Sequence, residues 1–344
     1  MIRNLTHMIK QRRTPCVLCG HSQQKVLFEA ADYMSHDRFE LLQCPVCQLV
    51  ETAPQPVSTE IGKYYPDEYF GLSGRRFLGP GEWVIRLARI WRAEAIHRFN
   101  RAPGRILDIG CGRGWMLTRL KQLGWTCHGT EWSETLVKLH QQNGLDVQHE
   151  LDLRNCHFPD QFFDVVTLWH VFEHIHNPAE ILSEIYRILK PGGLIVLATP
   201  DWGGLSAQLT RQNWFALDVP RHLFHYSHRT LPAIVESAGF RVFRQRHLSL
   251  EQDLFGATQS VLNTLGFGYN HLYNAIRNDA ARSGPAAQPA SISSQVVFWA
   301  CALALVTPCS LAALVFSLFK AGGTIEVWAS KEPPKHPNSE RRTP

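Results

Sequence analysis

The sequence predicts an α/β fold with a Rossmann-like sheet, preceded by a small cysteine-rich segment and carrying an apolar helical insertion before its last strand. Three observations lead to this prediction. Strand-like and helix-like segments alternate from residue 105 to about residue 246, as expected of βαβ units around a parallel sheet. Two Cys-x2-Cys pairs lie near the N-terminus. An uncharged apolar run covers residues 295–319.

The bulk composition is that of an ordinary globular protein. The 344 residues suffice for a catalytic domain with appendages. A net charge of +5 is too mild to indicate nucleic acid and is compatible with an anionic membrane surface. A secreted disulfide scaffold would be shorter and denser in cysteine than a chain with nine cysteines. The first fifteen residues contain no apolar stretch of signal-peptide length. We therefore expect a cytoplasmic protein.

The chain divides into segments of different composition, and each receives its own structural prediction. We predict a zinc ribbon at 14–50, a connector and amphipathic helix at 51–100, a catalytic core at 101–250 plus 322–332, a helical insertion with an apolar hairpin at 251–321, and a disordered tail at 333–344.

The cysteine pairs predict a structural metal site. Cys16 and Cys19 are separated by 24 residues from Cys44 and Cys47, and each knuckle carries a turn-forming residue, Gly20 or Pro45. Four thiolates in paired knuckles match tetrahedral Zn²⁺. A closed four-cysteine site stabilises the fold and does no chemistry. Incidental or redox-active cysteines are the alternative.

A glycine turn follows the first strand of the predicted sheet. The run Arg105–Leu117 (RILDIGCGRGWML) contains a short buried strand, then a DxGxGxG turn with Asp108 in front, then a helix near Trp115. Glycines allow a tight bend and a close approach to a ligand. A carboxylate near the turn would repel a pyrophosphate but suits a cationic sulfonium ligand with an amino group. The alternative is a tight βα turn without a ligand.

Acidic residues follow the next two strands. The second strand, residues 126–130, ends on Glu131, which is placed to accept both hydroxyls of a ribose about 20 residues beyond the glycines. The third strand, near residues 146–148, leads to Asp152, which is placed to meet an adenine amino group. An exposed glutamate and an ordinary turn aspartate are the alternatives.

Taken together, these segments resemble a known enzyme family. The runs ILDIGCGRG, GTEWSE, FPDQFFDVVTLWHVFEHIHNP and ILKPGGLIVLATP look like the core of class I S-adenosylmethionine-dependent methyltransferases, over about residues 100–250 plus the last strand. The resemblance implies a seven-stranded sheet with the cofactor across the carboxyl ends of its first strands. The predicted cofactor-binding residues are Asp108, Gly110, Cys111, Gly112, Gly114, Glu131, Trp132, Asp152, Leu153 and His170.

The segment after the fourth strand supplies one group of catalytic candidates. His170, Glu173 and His174 are similar to a segment of quinone-pathway O-methyltransferases in which Glu, Glu and His can hold a divalent ion. His170 replaces the first glutamate, which puts a magnesium site in doubt. An inverted zinc-peptidase motif has the same HxxEH spacing, but its context here is a strand of a methyltransferase-like core. The alternative for these three residues is a structural role in helix capping and packing.

A second group lies after the fifth strand, in the region that forms the acceptor pocket of this fold. His222 and His225 are candidate bases for the acceptor proton, as is His174. Arg221 is a candidate for binding an anionic acceptor group. A surface or structural role is the alternative for each residue.

The apolar run at 295–319 is long enough to span a bilayer. The sixth and seventh strands, expected at 240–247 and 324–330, must share one sheet, which excludes an odd number of crossings. Pro308 near the midpoint therefore predicts two short helices in a hairpin that enters one leaflet or packs on the domain. Residues 81–100 predict a basic amphipathic helix, either interfacial or a lid over the cofactor.

The sequence predicts an enzyme that uses S-adenosylmethionine to methylate a small-molecule or lipid-linked acceptor, such as a glycolipid, a quinone-like lipid or a glycan precursor. O-methylation is preferred over C- or N-methylation. We expect attachment to the cytoplasmic face of the inner membrane and no nucleic-acid partner. The alternatives are an RNA methyltransferase that grips RNA with its zinc ribbon, and a non-catalytic scaffold.

Overall fold

The computed structural model describes residues 11–12, 15–57, 59–65, 80–100, 102–150, 152–276 and 292–332. The predicted disordered tail at 333–344 lies outside the described residues, as does part of the connector. The chain forms two compact units. The first, here called the cysteine unit, comprises residues 1–85, 200–231 and 246–325. The second, the sheet unit, comprises residues 86–199, 232–245 and 326–344.

The strands, in chain order, are β1 (Gln11–Arg12), β2 (Gln24–Ala31), β3 (Arg38–Gln43), β4 (Val50–Ala53), β5 (Arg105–Ile109), β6 (Thr126–Thr130), β7 (Asp146–Gln148), β8 (Phe163–Trp169), β9 (Leu189–Pro200), β10 (Phe224–His225), β11 (Phe240–Arg246) and β12 (Thr324–Lys331). The α-helices are α1 (Pro80–Asn100), α2 (Trp115–Gln122), α3 (Glu134–Gln142), α4 (Pro178–Ile188), α5 (Leu205–Thr210), α6 (Thr230–Ser237), α7 (Asp253–Thr264), α8 (His271–Ile276) and α9 (Ile292–Leu318).

The sheet unit contains the predicted Rossmann-like sheet. Its seven strands lie in the order β11-β12-β9-β8-β5-β6-β7. Strands β5 to β9 pair in parallel, for example Asp108 with Thr167 across β5 and β8. The central strands are almost entirely buried, as expected of parallel strands covered on both faces. The carboxyl ends of these parallel strands therefore meet at one edge, where ligands bind in such sheets.

The cysteine unit contains an antiparallel five-stranded sheet in the order β1-β2-β3-β4-β10. Strand β10 pairs with β4, with Phe224 opposite Glu51 and His225 opposite Val50. The predicted ribbon boundary at residue 50 was therefore too early. The sheet runs on to Ala53, and a strand from residues 224–225 completes it. A buried aromatic cluster that includes Trp202 and Trp214 packs on this unit's core.

The apolar run folds as one helix, which corrects the predicted hairpin. Helix α9 spans Ile292–Leu318 without interruption, and Pro308 lies inside it. A proline removes one helical hydrogen bond and costs about 3 kcal/mol. A hairpin turn at this point would instead free several backbone groups in an apolar stretch, and such groups are expensive to leave unpaired. The continuous helix packs against α7 through a small cluster that includes Leu262, Phe298 and Ala302.

Candidate active site

The glycine turn between β5 and α2 has the conformation that its sequence predicts. Gly110, Gly112 and Gly114 have φ values of 68°, 56° and 65°, in the left-handed region that favours glycine. A Cβ on Gly110 would lie 2.5 Å from Cγ2 of Val171, and one on Gly114 would lie 2.7 Å from Cε1 of His140. The turn therefore approaches its neighbours as closely as backbone atoms allow.

Glu131 closes this turn from the end of β6. One carboxylate oxygen, Oε2, accepts a hydrogen bond from the Gly112 backbone N–H at 2.8 Å, and Oε1 accepts one from the Ser133 N–H at 3.0 Å. The side chain is buried. Each carboxylate oxygen has further acceptor capacity. The residue is thus fixed beside the turn, and its oxygens can also accept bonds from a pair of neighbouring hydroxyls.

Asp108 is a buried carboxylate at the end of β5. Its Oδ1 accepts a hydrogen bond from the hydroxyl of Thr167 at 2.6 Å. Desolvation by burial raises the pKa of Asp108 to about 7, against the smaller opposing effects of the Thr167 bond and of the nearby cations Arg89 and Arg92. A cationic ligand at this edge would favour the ionised carboxylate.

Two arginines of α1 lie beside the same turn, and sequence reasoning did not assign them to the site. Nη1 of Arg89 lies 3.2 Å from the position of a Cβ on Gly112. The Arg92 guanidinium lies over the Trp169 ring, 4.2 Å from its centroid. Their spacing on the basic face of α1 was visible in the sequence. Their position supports the alternative in which this helix covers the cofactor site, and Ala93 and Ile96 anchor it in the core.

The remaining predicted cofactor residues differ in exposure and pairing. Cys111 is buried within the turn, and its backbone N–H donates to Thr130 O at 3.0 Å. Trp132 is exposed, whereas Leu153 is buried. The Asp152 carboxylate accepts several hydrogen bonds from Arg154, including one from Nη2 at 2.6 Å. These bonds lower the pKa of Asp152. A role toward adenine stays a prediction for Asp152.

His170, Glu173 and His174 lie together after β8. His170 has a φ of 56°, and its backbone N–H donates to Ala198 O at 2.8 Å. Its Nδ1 lies 3.7 Å from Oε1 of Glu173, which is almost completely buried. Residues Phe172–His174 form a 3₁₀ turn. The structure thus places the imidazole and the carboxylate side by side at the carboxyl end of β8, and their catalytic role stays a prediction.

Arg221 has a different environment from the one predicted. The side chain is completely buried in the cysteine unit, and its guanidinium donates to Asp32 at 2.6 Å, to Asp218 at 2.8 Å and to the Tyr64 carbonyl at 2.9 Å. A cation buried and paired in this way is expensive to disturb. Arg221 holds its segment to Asp32, which follows β2, and to Tyr64, and its contact with an anionic acceptor stays a prediction.

His222 and His225 are also buried, and their role as the base stays a prediction. Nδ1 of His222 lies 2.8 Å from Ala216 O, and the carbonyl requires the ring nitrogen to be the donor. Nε2 of His225 lies 3.0 Å from the Thr52 hydroxyl, which itself donates to His222 O at 2.7 Å. The hydrogen bond between Thr52 and His225 joins β4 to β10.

The four predicted metal ligands converge. The sulfur atoms of Cys16 and Cys47 are 3.4 Å apart, those of Cys19 and Cys44 are 3.5 Å apart, and all four lie within 4.8 Å of one another. A tetrahedral Zn²⁺ with bonds of about 2.3 Å requires sulfur separations of about 3.8 Å. The four thiols therefore fit such an ion.

The two cysteine knuckles share one backbone pattern. The Cys16 N–H donates to His21 O and the Gly20 N–H donates to Cys16 O, at 2.9 and 2.8 Å. Cys44 repeats both bonds with Leu49 and Gln48, at 2.9 and 3.0 Å. Gly20 and Gln48 have φ values of 72° and 66°. The repeated turn presents its sulfur atoms to one point, so the cluster is a built feature.

Comparison with known proteins relates the segment that contains the glycine turn to a known family. Residues 82–245 match the model of a family described as a methyltransferase domain. A ubiquinone biosynthesis O-methyltransferase of Xanthomonas oryzae pv. oryzae (strain PXO99A) is 29% identical over 189 residues, which cover 52% of this chain and 79% of that protein.

Residues 82–245 therefore carry an S-adenosylmethionine-dependent methyltransferase domain.

Other similarities cover less of the chain or are more distant. The ubiquinone biosynthesis O-methyltransferase of Pseudomonas entomophila (strain L48) is 33% identical over 109 residues, or 30% of this chain and 47% of that protein. A solved S-adenosylmethionine-dependent methyltransferase from Archaeoglobus fulgidus has a TM-score of 0.43 at 19% identity, covering 71% of this chain and 94% of that one.

The residues of this methyltransferase fit its cofactor. A side chain at Gly110 or Gly114 would collide with Val171 or His140, the ribose would meet Glu131, and the cationic methionine end suits Asp108. When bound, S-adenosylmethionine supplies an electrophilic methyl group. The contribution of the residues described above would be to hold and align this donor.

Proposed function

We propose that this enzyme methylates an oxygen atom of a lipophilic or lipid-linked acceptor at a membrane surface. The observation that carries the proposal is α9, an uncharged 27-residue helix with most of its apolar side chains exposed. The names of its relatives agree with O-methylation, because ubiquinone biosynthesis O-methyltransferases are among them.

Helix α9 has one buried side and a much larger exposed side. Phe298 and Ala302 face α7 and are buried. Leu303 is 72% exposed and Leu318 is 81% exposed, and several other large apolar side chains of this helix are also exposed. Exposed apolar surface costs about 25 cal/mol per Å² in water. A contiguous patch of this kind marks an interaction site, and acyl chains are the partner that needs no complementary shape.

We propose that α9 lies along the membrane surface and does not cross the bilayer. Strands β11 and β12 belong to one sheet and must be on one side of a bilayer. A single full crossing between them is incompatible with that sheet unless the chain returns. Because one side of α9 packs on α7, we propose that the opposite side enters the outer part of one leaflet.

Helix α1 supports the same proposal. Trp83 and Trp91 are 63% and 64% exposed, and Leu87 is exposed near them. Amphipathic aromatic rings favour the interface between headgroups and acyl chains. The same helix carries Arg89 and Arg92 toward the glycine turn, so we propose that it serves as both a cover for the cofactor and an interfacial contact.

We also propose that the four-cysteine cluster binds one structural Zn²⁺. The support is the convergence of four sulfur atoms from two identical knuckles. A small sheet of this size gains its stability from the metal. The cysteines belong to the fold of the cysteine unit and take no part in the methyl transfer.

The acceptor is tested by label transfer. The full chain is incubated with S-adenosylmethionine labelled in its methyl group and with an extract of the source cells, which is then divided into organic-soluble, RNA and water-soluble fractions. We expect alkali-stable label in the organic fraction. Label confined to RNA would overturn the proposed acceptor class and establish the RNA alternative.

Membrane contact is tested separately by flotation with vesicles of anionic and neutral phospholipids. We expect the native chain to float with the vesicles and the double variant Leu303→Glu, Leu311→Glu to remain in the soluble fraction. Leu209→Glu is the matched control, because Leu209 is equally exposed but lies on α5. Flotation of the double variant at the native level would contradict the membrane contact.

A further inference from the structure

His140 is a buried histidine of the sheet unit, and sequence reasoning did not assign it to the site. It lies in the last turn of α3 and is 2% exposed. Val137, three residues earlier, is also buried on this helix and belongs to the core. This spacing puts both residues on one face of the helix, where a core position usually carries an apolar side chain. A polar ring at such a position needs a hydrogen-bond partner.

The partner of the His140 ring is the glycine turn between β5 and α2. Nε2 of His140 lies 2.6 Å from the backbone oxygen of Gly112. A carbonyl oxygen can only accept a hydrogen bond, so Nε2 carries the proton and donates it. The imidazole therefore fixes the oxygen of one peptide group in the middle of the turn.

Gly112 is held on both of its peptide groups. Its N–H donates to Oε2 of Glu131 at 2.8 Å, and its carbonyl accepts from His140. Three glycines with positive φ values make this turn, and glycine loses more conformational freedom on ordering than any other residue. The carboxylate and the imidazole together select one conformation of the turn.

The His140 ring also lies against Gly114, where α2 begins. A Cβ on Gly114 would lie 2.7 Å from Cε1 and 3.0 Å from Nδ1 of His140. A side chain at position 114 would therefore displace the ring from the Gly112 oxygen. The last glycine of the turn thus makes room for the imidazole.

The backbone of His140 is fixed independently of its ring. Its carbonyl oxygen accepts hydrogen bonds from the N–H groups of Asn143 and Leu145, at 3.0 and 2.9 Å. Leu145 is buried, and its Cδ1 would lie 3.2 Å from a Cβ on Gly114. The ring is therefore presented to the turn from a rigid helix end, as required of a residue that orients another group.

We propose that His140 is a positioning residue for S-adenosylmethionine and acts through Gly112. The apparent affinity of a ligand falls in proportion to the fraction of chains in the binding conformation. Without the imidazole, the turn depends on the bond from Gly112 to Glu131, a carboxylate that must also accept from the ribose. This role concerns the methyl donor, and its test does not depend on the proposed acceptor.

Calorimetric titration of the full chain with S-adenosylmethionine and with S-adenosylhomocysteine tests the proposal. His140→Leu keeps a large side chain on the buried face of α3 and removes the donor. We expect both dissociation constants to rise about tenfold, the effect of one lost hydrogen bond. His140→Gln should return both to within about threefold of the native values, because its amide can donate to the Gly112 oxygen.

Val137→Ala is the matched control for a general loss of packing. It leaves a cavity on the same face of α3 and should lower the unfolding temperature. A valine side chain makes no hydrogen bond, so cofactor affinity should stay within about threefold of native. Native affinity in His140→Leu would overturn the proposal. Equal losses in His140→Leu and His140→Gln, or in His140→Leu and Val137→Ala, would also overturn it.

A measurement on the native chain decides the question if His140→Leu does not fold. In chain prepared with ¹⁵N-labelled histidine, the imidazole signal that is missing from His140→Gln belongs to His140. We expect its proton on Nε2, with and without S-adenosylhomocysteine. A ring protonated only on Nδ1 could not donate to the Gly112 oxygen, and this result would overturn the proposal.

Discussion

Gly110 provides a sharp test of the cofactor site, because its substitution combines two separable effects. Alanine at this position must adopt a φ near 68°, which costs an L-residue about 1–2 kcal/mol. Its Cβ would also lie 2.5 Å from Cγ2 of Val171, whereas ordinary contacts begin at 3.4 Å. Either Val171 or the turn must therefore move by about 1 Å, a displacement that can cost an enzyme about 100-fold in rate.

A substitution at Gly192 is the control that separates the backbone strain of a positive φ from the steric collision with Val171. Its φ is 75°, and a Cβ at this position would have no other atom within 4 Å. Gly192→Ala should therefore lower the free energy of unfolding by about 1–2 kcal/mol and leave cofactor affinity unchanged. Gly110→Ala should lower stability by at least as much and raise the dissociation constant of S-adenosylmethionine at least about tenfold, or 1.4 kcal/mol.

Calorimetric titration and thermal unfolding of the same preparations measure both quantities. The double variant Gly110→Ala, Val171→Ala removes the colliding Cγ2 and should recover much of the lost affinity, with a coupling energy outside the error of additivity. Native affinity in Gly110→Ala, at a stability equal to that of Gly192→Ala, would refute the placement of the cofactor against this turn.

Three further predictions follow from single features. Desolvation raises the pKa of Asp108 from 3.8 to about 7, so its ionisation destabilises the folded chain without ligand, by up to about 4 kcal/mol. The free energy of unfolding of the native chain should therefore fall as pH rises through that interval, whereas that of Asp108→Asn should not. Denaturant titrations of both proteins measure this difference, and the same pH dependence in both would contradict the burial of Asp108. Glu131→Ala should weaken binding of S-adenosylmethionine by at least about tenfold, because two hydrogen bonds of about 1 kcal/mol each are lost. Calorimetric titration measures this affinity, with Glu134→Ala as the control variant. Elemental analysis should find one zinc per native chain and none in the double variant Cys16→Ser, Cys44→Ser. The melting temperature of that double variant should fall, and an unchanged melting temperature would exclude a structural ion.

The strands and the cofactor turn were predictable because their signals are local. Buried runs such as residues 106–109 and 194–199 give continuous apolar segments, and glycines mark the turn that follows the first of them. The bounds of the observed strands differ from the predicted ones by a few residues. Strand β9 begins at Leu189, which pairs with Phe163 of β8, and the register shifts before Leu194 pairs with Val165.

The environment of Arg221 was not predictable because its contacts are distant in sequence. Arg221 pairs with Asp32, 189 residues away, and nothing in the local sequence distinguishes a buried arginine from a surface one. His140 and Gly112 are likewise brought together only by the fold. Sequence reasoning favoured the histidines nearest a recognisable motif, and the structure shows that His222 and His225 are buried in the cysteine unit.

A structure of this methyltransferase with bound S-adenosylhomocysteine tests the central claim most directly. We expect both ribose hydroxyls within hydrogen-bonding distance of the Glu131 carboxylate and the amino-acid end of the product beside Gly110–Gly114, with Asp108 behind it. A nucleoside bound elsewhere, with Glu131 bonded only to the Gly112 and Ser133 amides, would contradict this placement of the cofactor.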